Sequence, residues 1–165
     1  MRLRILVLPI AAGLISLMVW HKLSQVHSRS NVRAIEQATF GHAPGFEALD
    51  KDNSITRLKT YQGRHDLLVV FFDGERGAAS DEVLQHLKRH IAELAEADFH
   101  VIAVSSALPQ QNRLTDFPSR FHLLTDPPPI WKIHREWGCF DEQNDLPVQA
   151  VFHIDRAGNV LIERG

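Results

Sequence analysis

The chain carries one cysteine, Cys139, and ten histidines. A single thiol excludes an intrachain disulfide, a CxxC dithiol and a cysteine-rich zinc site. Two readings of Cys139 are then open. One is a lone reactive thiol that forms a mixed disulfide or a sulfenic acid. The other is a small apolar residue held between the aromatics of Trp137-Gly138-Cys139-Phe140, because free cysteine is commonly buried and inert. Reactivity needs an electropositive, accessible setting, which the neighbouring Asp141 and Glu142 oppose.

Among the histidines, His86 and His90 lie four residues apart, with Glu82 and Glu93 on the same stripe. On a helix this spacing turns both imidazoles to one face, as a metal site requires. It equally describes an exposed stripe of Glu–His pairs worth roughly a few tenths of a kcal/mol each. Spacing fixes no third ligand, since His100, His122, His134 and His153 are remote in the chain. Arg76, between Gly74 and Gly77, offers an anion site at a helix start or a plain solvated turn. Trp131 and Trp137, beside Pro127–Pro129, form a recognition patch or internal packing.

These residues need elements to place them. Phe46–Leu49 and Ile55–Leu58 flank a turn at Asp50–Asn53, a hairpin signature. The run Leu67–Phe72 is apolar throughout, as in a strand covered on both faces. Residues Asp81–Ala97 read as one helix, with Val83, Leu84, Leu87, Ile91 and Leu94 on its apolar face. Ser80 or Asp81 caps its start. Val101–Val104 and Phe121–Leu124 are further strands, Ile130–Trp137 a helical turn or two, and Val148–Ile154 a third strong strand. Asp155–Asn159 is a hairpin turn before the last strand, Val160–Ile162. The order predicts an α/β domain with a mixed central sheet and flanking helices.

Ahead of this domain, Arg2 and Arg4 precede the uncharged run Ile5–Trp20, which His21 and Lys22 close. The run is slightly short of the roughly 20 residues a spanning helix needs. Leu3 and Leu23 extend it if Arg4 and Lys22 snorkel. Residues 1–23 are therefore expected to be an uncleaved transmembrane anchor; a signal peptide is the alternative, with a poor cleavage site near Val26-His27-Ser28. Residues 24–44 read as a polar linker and 45–165 as the domain. A short basic N-terminus usually stays inside, so the domain is expected on the non-cytoplasmic side. The chain is 44% hydrophobic and 23% charged with a formal net charge of −2, and nothing in it forms a basic face for nucleic acid. No cofactor motif is present, so none is expected.

Taken in order, "FEALDKDNSITRLKTYQGR", "LLVVFF", "VIAVS", "FHLLTD", "WKIHREWG" and "LPVQAVFHIDRAGNVL" resemble the alkyl hydroperoxide reductase / thiol-specific antioxidant (AhpC/TSA) redoxins of the thioredoxin-like superfamily. The resemblance spans about Phe46 to Glu163. It implies a thioredoxin-like sheet, a cis proline at Pro147, and cysteines in the loop after Phe72. Here that loop is Asp73–Glu82, and Arg76 and Ala79 stand where a CxxC pair belongs. Ala79 also falls at the peroxidatic position, and no threonine precedes it to orient a peroxide. A methyl group supplies no thiolate, which is the nucleophile in this chemistry. The leading expectation is a membrane-tethered, redox-degenerate domain that binds a protein or peptide. A thiol-dependent antioxidant or oxidoreductase working through Cys139 is the alternative, and a metal-binding accessory protein using His86 and His90 is a third.

Overall fold

A computed structural model describes residues 41–112 and 117–161. The expected anchor, residues 1–23, lies outside the described residues, as does the linker up to residue 40. Among the described residues no helix is long and apolar enough to cross a membrane.

The core is built on a seven-stranded sheet. Its strands are β1 (Glu47–Asp50), β2 (Ile55–Arg57), β3 (Asp66–Phe72), β4 (Phe99–Ser105), β5 (Phe121–Thr125), β8 (Ala150–Ile154) and β9 (Val160–Leu161), in the order β2-β1-β5-β4-β3-β8-β9. β3, β4 and β5 run parallel, and β1, β2, β8 and β9 join antiparallel. The apolar run predicted for β3 thus sits at the centre, between β4 and β8, where both faces need cover. A separate two-stranded ribbon pairs β6 (Phe140–Asp141) with β7 (Leu146–Pro147).

Alternation along the strands divides the core. Leu67, Val69 and Phe71 of β3 join Ile102 and Val104 of β4, Leu124 of β5 and Ala150, Phe152 and Ile154 of β8 on one face. Helix α4 (Lys132–Glu136) covers that face with Ile133, followed by Trp137 and Cys139. Val70 and Phe72 point the other way, where α1 (Glu82–Arg89) and α2 (Ile91–Glu96) bury Val83, Leu84, Leu87 and Leu94. A short helix, α3 (Pro109–Asn112), follows β4.

Three expectations change. The single helix 81–97 is two helices, broken at His90, whose φ of −102° and ψ of 16° leave the helical well. Its N–H is shared among the carbonyls of His86, Leu87 and Lys88, so the turn tightens there instead of propagating. The strand placed at 148–154 begins at Ala150; Val148 and Gln149 are a link between it and β7, which ends at Pro147. The Leu146–Pro147 bond is not cis; among the described residues the cis bond is Pro128–Pro129. Pairing of Leu146 with Asp141 and Pro147 with Phe140 keeps this segment extended, the conformation a residue before proline favours.

Contacts of the domain begin before residue 45. The Ala43 N–H donates to Gly158 O at 2.8 Å, and His42 forms a bridge with Asn159. Gly158 has a φ of +86°, and any Cβ there would strike the His42 ring. The turn and the crossing chain therefore both require glycine.

Candidate functional site

The loop after β3 lies at the carboxyl end of the parallel strands, where open α/β sheets bind ligands. Its first turn is set by Gly74. A Cβ at that position would overlap Ser105 Oγ and the Ala107 methyl. The Gly74 N–H instead donates to Ser106 Oγ at 3.2 Å, tying the loop to the end of β4. Gly77, at a φ of +76°, then leads into a 3-10 turn, Ala78–Ser80. Ala78 is fully buried, while Arg76 and Ala79 are exposed. The two positions where the resemblance calls for cysteines thus face solvent, carrying a guanidinium and a methyl group.

Asp81 closes the loop and caps α1. One carboxylate oxygen accepts the Leu84 N–H at 2.9 Å, and the other accepts the Gln149 side-chain N–H at 2.9 Å. Burial raises the Asp81 carboxyl above its ordinary range, against the lowering effect of these bonds. The Gln149 contact joins the loop to the segment that follows Pro147. On the other side of that segment, the Val148 N–H donates to Cys139 O at 2.9 Å, and the Cys139 N–H to His134 O at 2.7 Å. Pro147 and Gln149 therefore stand between the head of α1 and the backbone of Cys139. The sequence named Asp81 as a cap but not its partner; nothing about Gln149 in sequence marks it as a neighbour of a residue 68 positions away.

The Cys139 thiol does not reach this surface. It is fully buried in the core with Trp137, Ala150 and Phe152. Its S–H donates to Trp137 O at 3.5 Å. Burial pushes the thiol far above its ordinary range, so the thiolate is suppressed. Of the two sequence readings, the structure places Cys139 in the small-apolar one.

The remaining candidates separate. His86 and His90 do share a face, with ring centroids 4.7 Å apart, and His90 Nδ1 meets Glu93 Oε2 at 2.9 Å. No group of three or more His, Cys, Asp or Glu among the described residues has the arrangement to hold a metal ion. Trp137 is core, packed edge-on to Phe46 and Phe152. Trp131 is half-buried and holds a left-handed backbone, φ +42°, which is uncommon for a bulky side chain. It is kept there by its indole N–H, which donates to Ser106 O at 3.0 Å, and by Phe140 at a centroid distance of 5.6 Å. Exposed Ile130 precedes it.

Sequence reading missed a buried pair behind this surface. The Asp126 carboxylate, at the end of β5, accepts both the backbone N–H of His134 at 2.8 Å and its ring Nδ1–H at 2.7 Å. Both residues are buried, and the ring packs edge-on to Phe71. The eight-residue separation crosses three prolines, so no helical or strand periodicity could announce the contact.

A parallel-centred sheet with helices on its faces, a capped helix after the first parallel strand and a bridged loop at the carboxyl end define a thioredoxin-like redoxin domain. Residues 41–162 match the AhpC/TSA family model, and the chain belongs to that family. Alkyl hydroperoxide reductase E of Mycobacterium tuberculosis is 28% identical over 118 residues, which cover 70% of this chain and 77% of that protein. Peroxidoxin BcpB from Mycobacterium tuberculosis shares the fold with a TM-score of 0.64 at 19% identity, over 75% of this chain and 82% of the other. A putative thiol:disulfide interchange protein DsbE from Chlorobium tepidum does so with a TM-score of 0.57 at 21% identity, over 74% and 82%.

Proposed function

We propose that this chain is a membrane-tethered, redox-degenerate redoxin domain that binds a protein or peptide at the carboxyl end of its sheet. One observation carries the reading: the loop presents Arg76 and Ala79 at the nucleophile positions, while the chain's single thiol is sealed in the core. A thiol that is neither exposed nor ionised is a poor nucleophile for a peroxide or a disulfide. The surface that remains offers the exposed Arg76 and Ile130 and the half-buried Trp131, groups suited to a peptide chain. The N-terminal run Ile5–Trp20, with Arg2 and Arg4 before it, supports a single-pass anchor with the domain on the non-cytoplasmic side.

Similarity to alkyl hydroperoxide reductase E favours a second reading, peroxide reduction through Cys139. It needs an opening of the core that brings the sulfur to solvent. Peroxidase and disulfide-reductase assays of the purified protein with a thiol reductant separate the two. The binding reading expects background rates, unchanged in Cys139→Ala. Robust thiol-dependent turnover that disappears in Cys139→Ala would replace it with the enzymatic one.

A further inference from the structure

The opposite end of the sheet gathers titratable groups that the proposed function does not use. His65 and Asp66 stand at the start of β3, Asp98 and His100 at the start of β4, and Arg120 and His122 at the start of β5. His153 of β8, Arg156 of the following hairpin, and Tyr61, which Asp50 of β1 also influences, complete the set. Register explains the gathering. His100 pairs with Leu67 and His122 with Ile102, so both imidazoles lie on the rows that continue as Ile102–Val104 and Leu124 of the main core. Tyr61 packs against the same core from outside.

These side chains form one connected line. Tyr61 Oη is 3.3 Å from His122 Nδ1, and His122 Nε2 is 3.1 Å from His100 Nδ1. His65 stacks on His100 with centroids 4.2 Å apart and meets Asp98 Oδ1 at 3.0 Å. Asp98 also accepts from Arg120 at 3.3 Å and from Arg156 at 3.0 Å. Arg156 reaches Asp66 at 3.3 Å, and His153 Nε2 lies 3.6 Å from the same carboxylate.

We propose that the Tyr61–His122–His100 line is an acid-released latch, which holds the Tyr61 segment to the starts of β4 and β5 while the imidazoles are neutral and lets it go when they are protonated. The 3.1 Å link has room for one hydrogen between two nitrogens. With a proton on both rings, both nitrogens are donors, and an attraction becomes a repulsion. Charge balance adds to this. Two carboxylates, Asp66 and Asp98, already serve two guanidiniums, Arg120 and Arg156. The same two carboxylates also meet His65 and His153, so an imidazolium at His100 or His122, whose hydrogen-bond partners are each other and Tyr61, has no carboxylate bonded to it. Burial works in the same direction, holding His122 down to about 4, with the neighbouring His100 lowering it further. Burial likewise lowers His100, assisted by His65 and Arg120. Both rings are thus neutral near pH 7 and take up protons in acid, where the unfolded chain would already hold them.

Tyr61 is the only tyrosine, so its ring resonances report on the latch alone. The test is a reversible NMR titration of the full chain from pH 7 to about pH 3, past the value of about 4 for His122, with amide hydrogen exchange corrected for intrinsic pH dependence. The latch expects the Tyr61 signals to move as pH falls through about 4, the value at which the folded His122 takes its proton. It also expects exchange at the starts of β4 and β5 to rise by roughly tenfold or more while amides beside Phe71 and Ala150 stay protected. In His122→Gln the amide still donates to His100 but takes no proton, so the Tyr61 titration is lost. Should that variant not fold, His100→Gln reads the same link from its other side. Tyr61 signals that stay flat in the wild type, that titrate unchanged in the variant, or that move only with unfolding of the whole sheet overturn the latch.

Discussion

Cys139→Ser exchanges a fully buried thiol for a hydroxyl of similar shape, and the structure sets how much that should cost. The S–H reaches Trp137 O at 3.5 Å, a fair distance for sulfur. An O–H···O bond needs about 2.5–3.0 Å, and the shorter C–O bond draws the oxygen away from the carbonyl. The hydroxyl is then left without a good partner among apolar neighbours, at about 1–3 kcal/mol. Loss of packed volume adds about 1 kcal/mol. Cys139→Ala leaves the small cavity but no stranded polar group, for roughly 1–2 kcal/mol. The expected order of stability is wild type, then alanine, then serine, with serine roughly 2–4 kcal/mol below wild type. Urea unfolding at pH 7 measures this as shifts in midpoint at constant slope. A soluble aromatic disulfide reagent tests the same burial directly. If exposing the sulfur costs about 4 kcal/mol, labelling of the native protein runs roughly a thousandfold slower than of the unfolded chain. Serine as stable as alanine, or native labelling within about tenfold of the unfolded rate, would refute the buried, inert cysteine and the binding-module reading built on it.

Other positions give independent checks. Gly74→Ala drives a methyl group into Ser105 and Ala107; it should lower stability by about 1–3 kcal/mol in denaturant unfolding, and an unchanged midpoint would contradict the close approach of the loop to β4. His134→Phe keeps the edge-on ring contact with Phe71 but takes from the buried Asp126 carboxylate its imidazole donor, leaving the backbone N–H of residue 134. The expected loss is about 2–4 kcal/mol, with part of it restored by Asp126→Asn in a double-mutant cycle. His122 predicts the pH dependence. Its folded pKa of about 4 lies below the ordinary histidine value near 6.5, so the unfolded chain binds the proton first. Stability is full above about pH 6.5, falls as pH drops towards 4, and levels below it. The ring is partly solvated, so the loss is about 1–2 kcal/mol after screening, and His122→Gln should flatten the curve in that window.

Two parts of the carboxyl-end site were readable from the chain: the residues of the loop after β3, none of them cysteine, and the Asp81 cap. Arg76 and Ala79 follow from counting back from Asp81-Glu82 against the pattern of the resembling family, and a capping aspartate is a local device satisfied within three residues. Its closure was not readable. Gln149, the Asp126–His134 pair and the Ser106 tie to Gly74 each join residues from different elements. Side-chain hydrogen bonds of that kind leave no period behind.

By itself the sequence determined what repeats along the backbone and what is missing from it. The period of two, the apolar run of β3, the hairpin turns and the helical stripe of α1 all arise from the geometry of one segment, so one segment suffices to show them. The absence of a second cysteine likewise needs no coordinates. Tertiary structure decided three things that depend on neighbours. It turned the 81–97 helix at His90, it kept Leu146–Pro147 extended by pairing it with Phe140–Asp141, and it buried the one thiol. It also brought four histidines, scattered from His65 to His153, to one end of the sheet. Strand register set that meeting, and register is a relation between segments that no single segment contains.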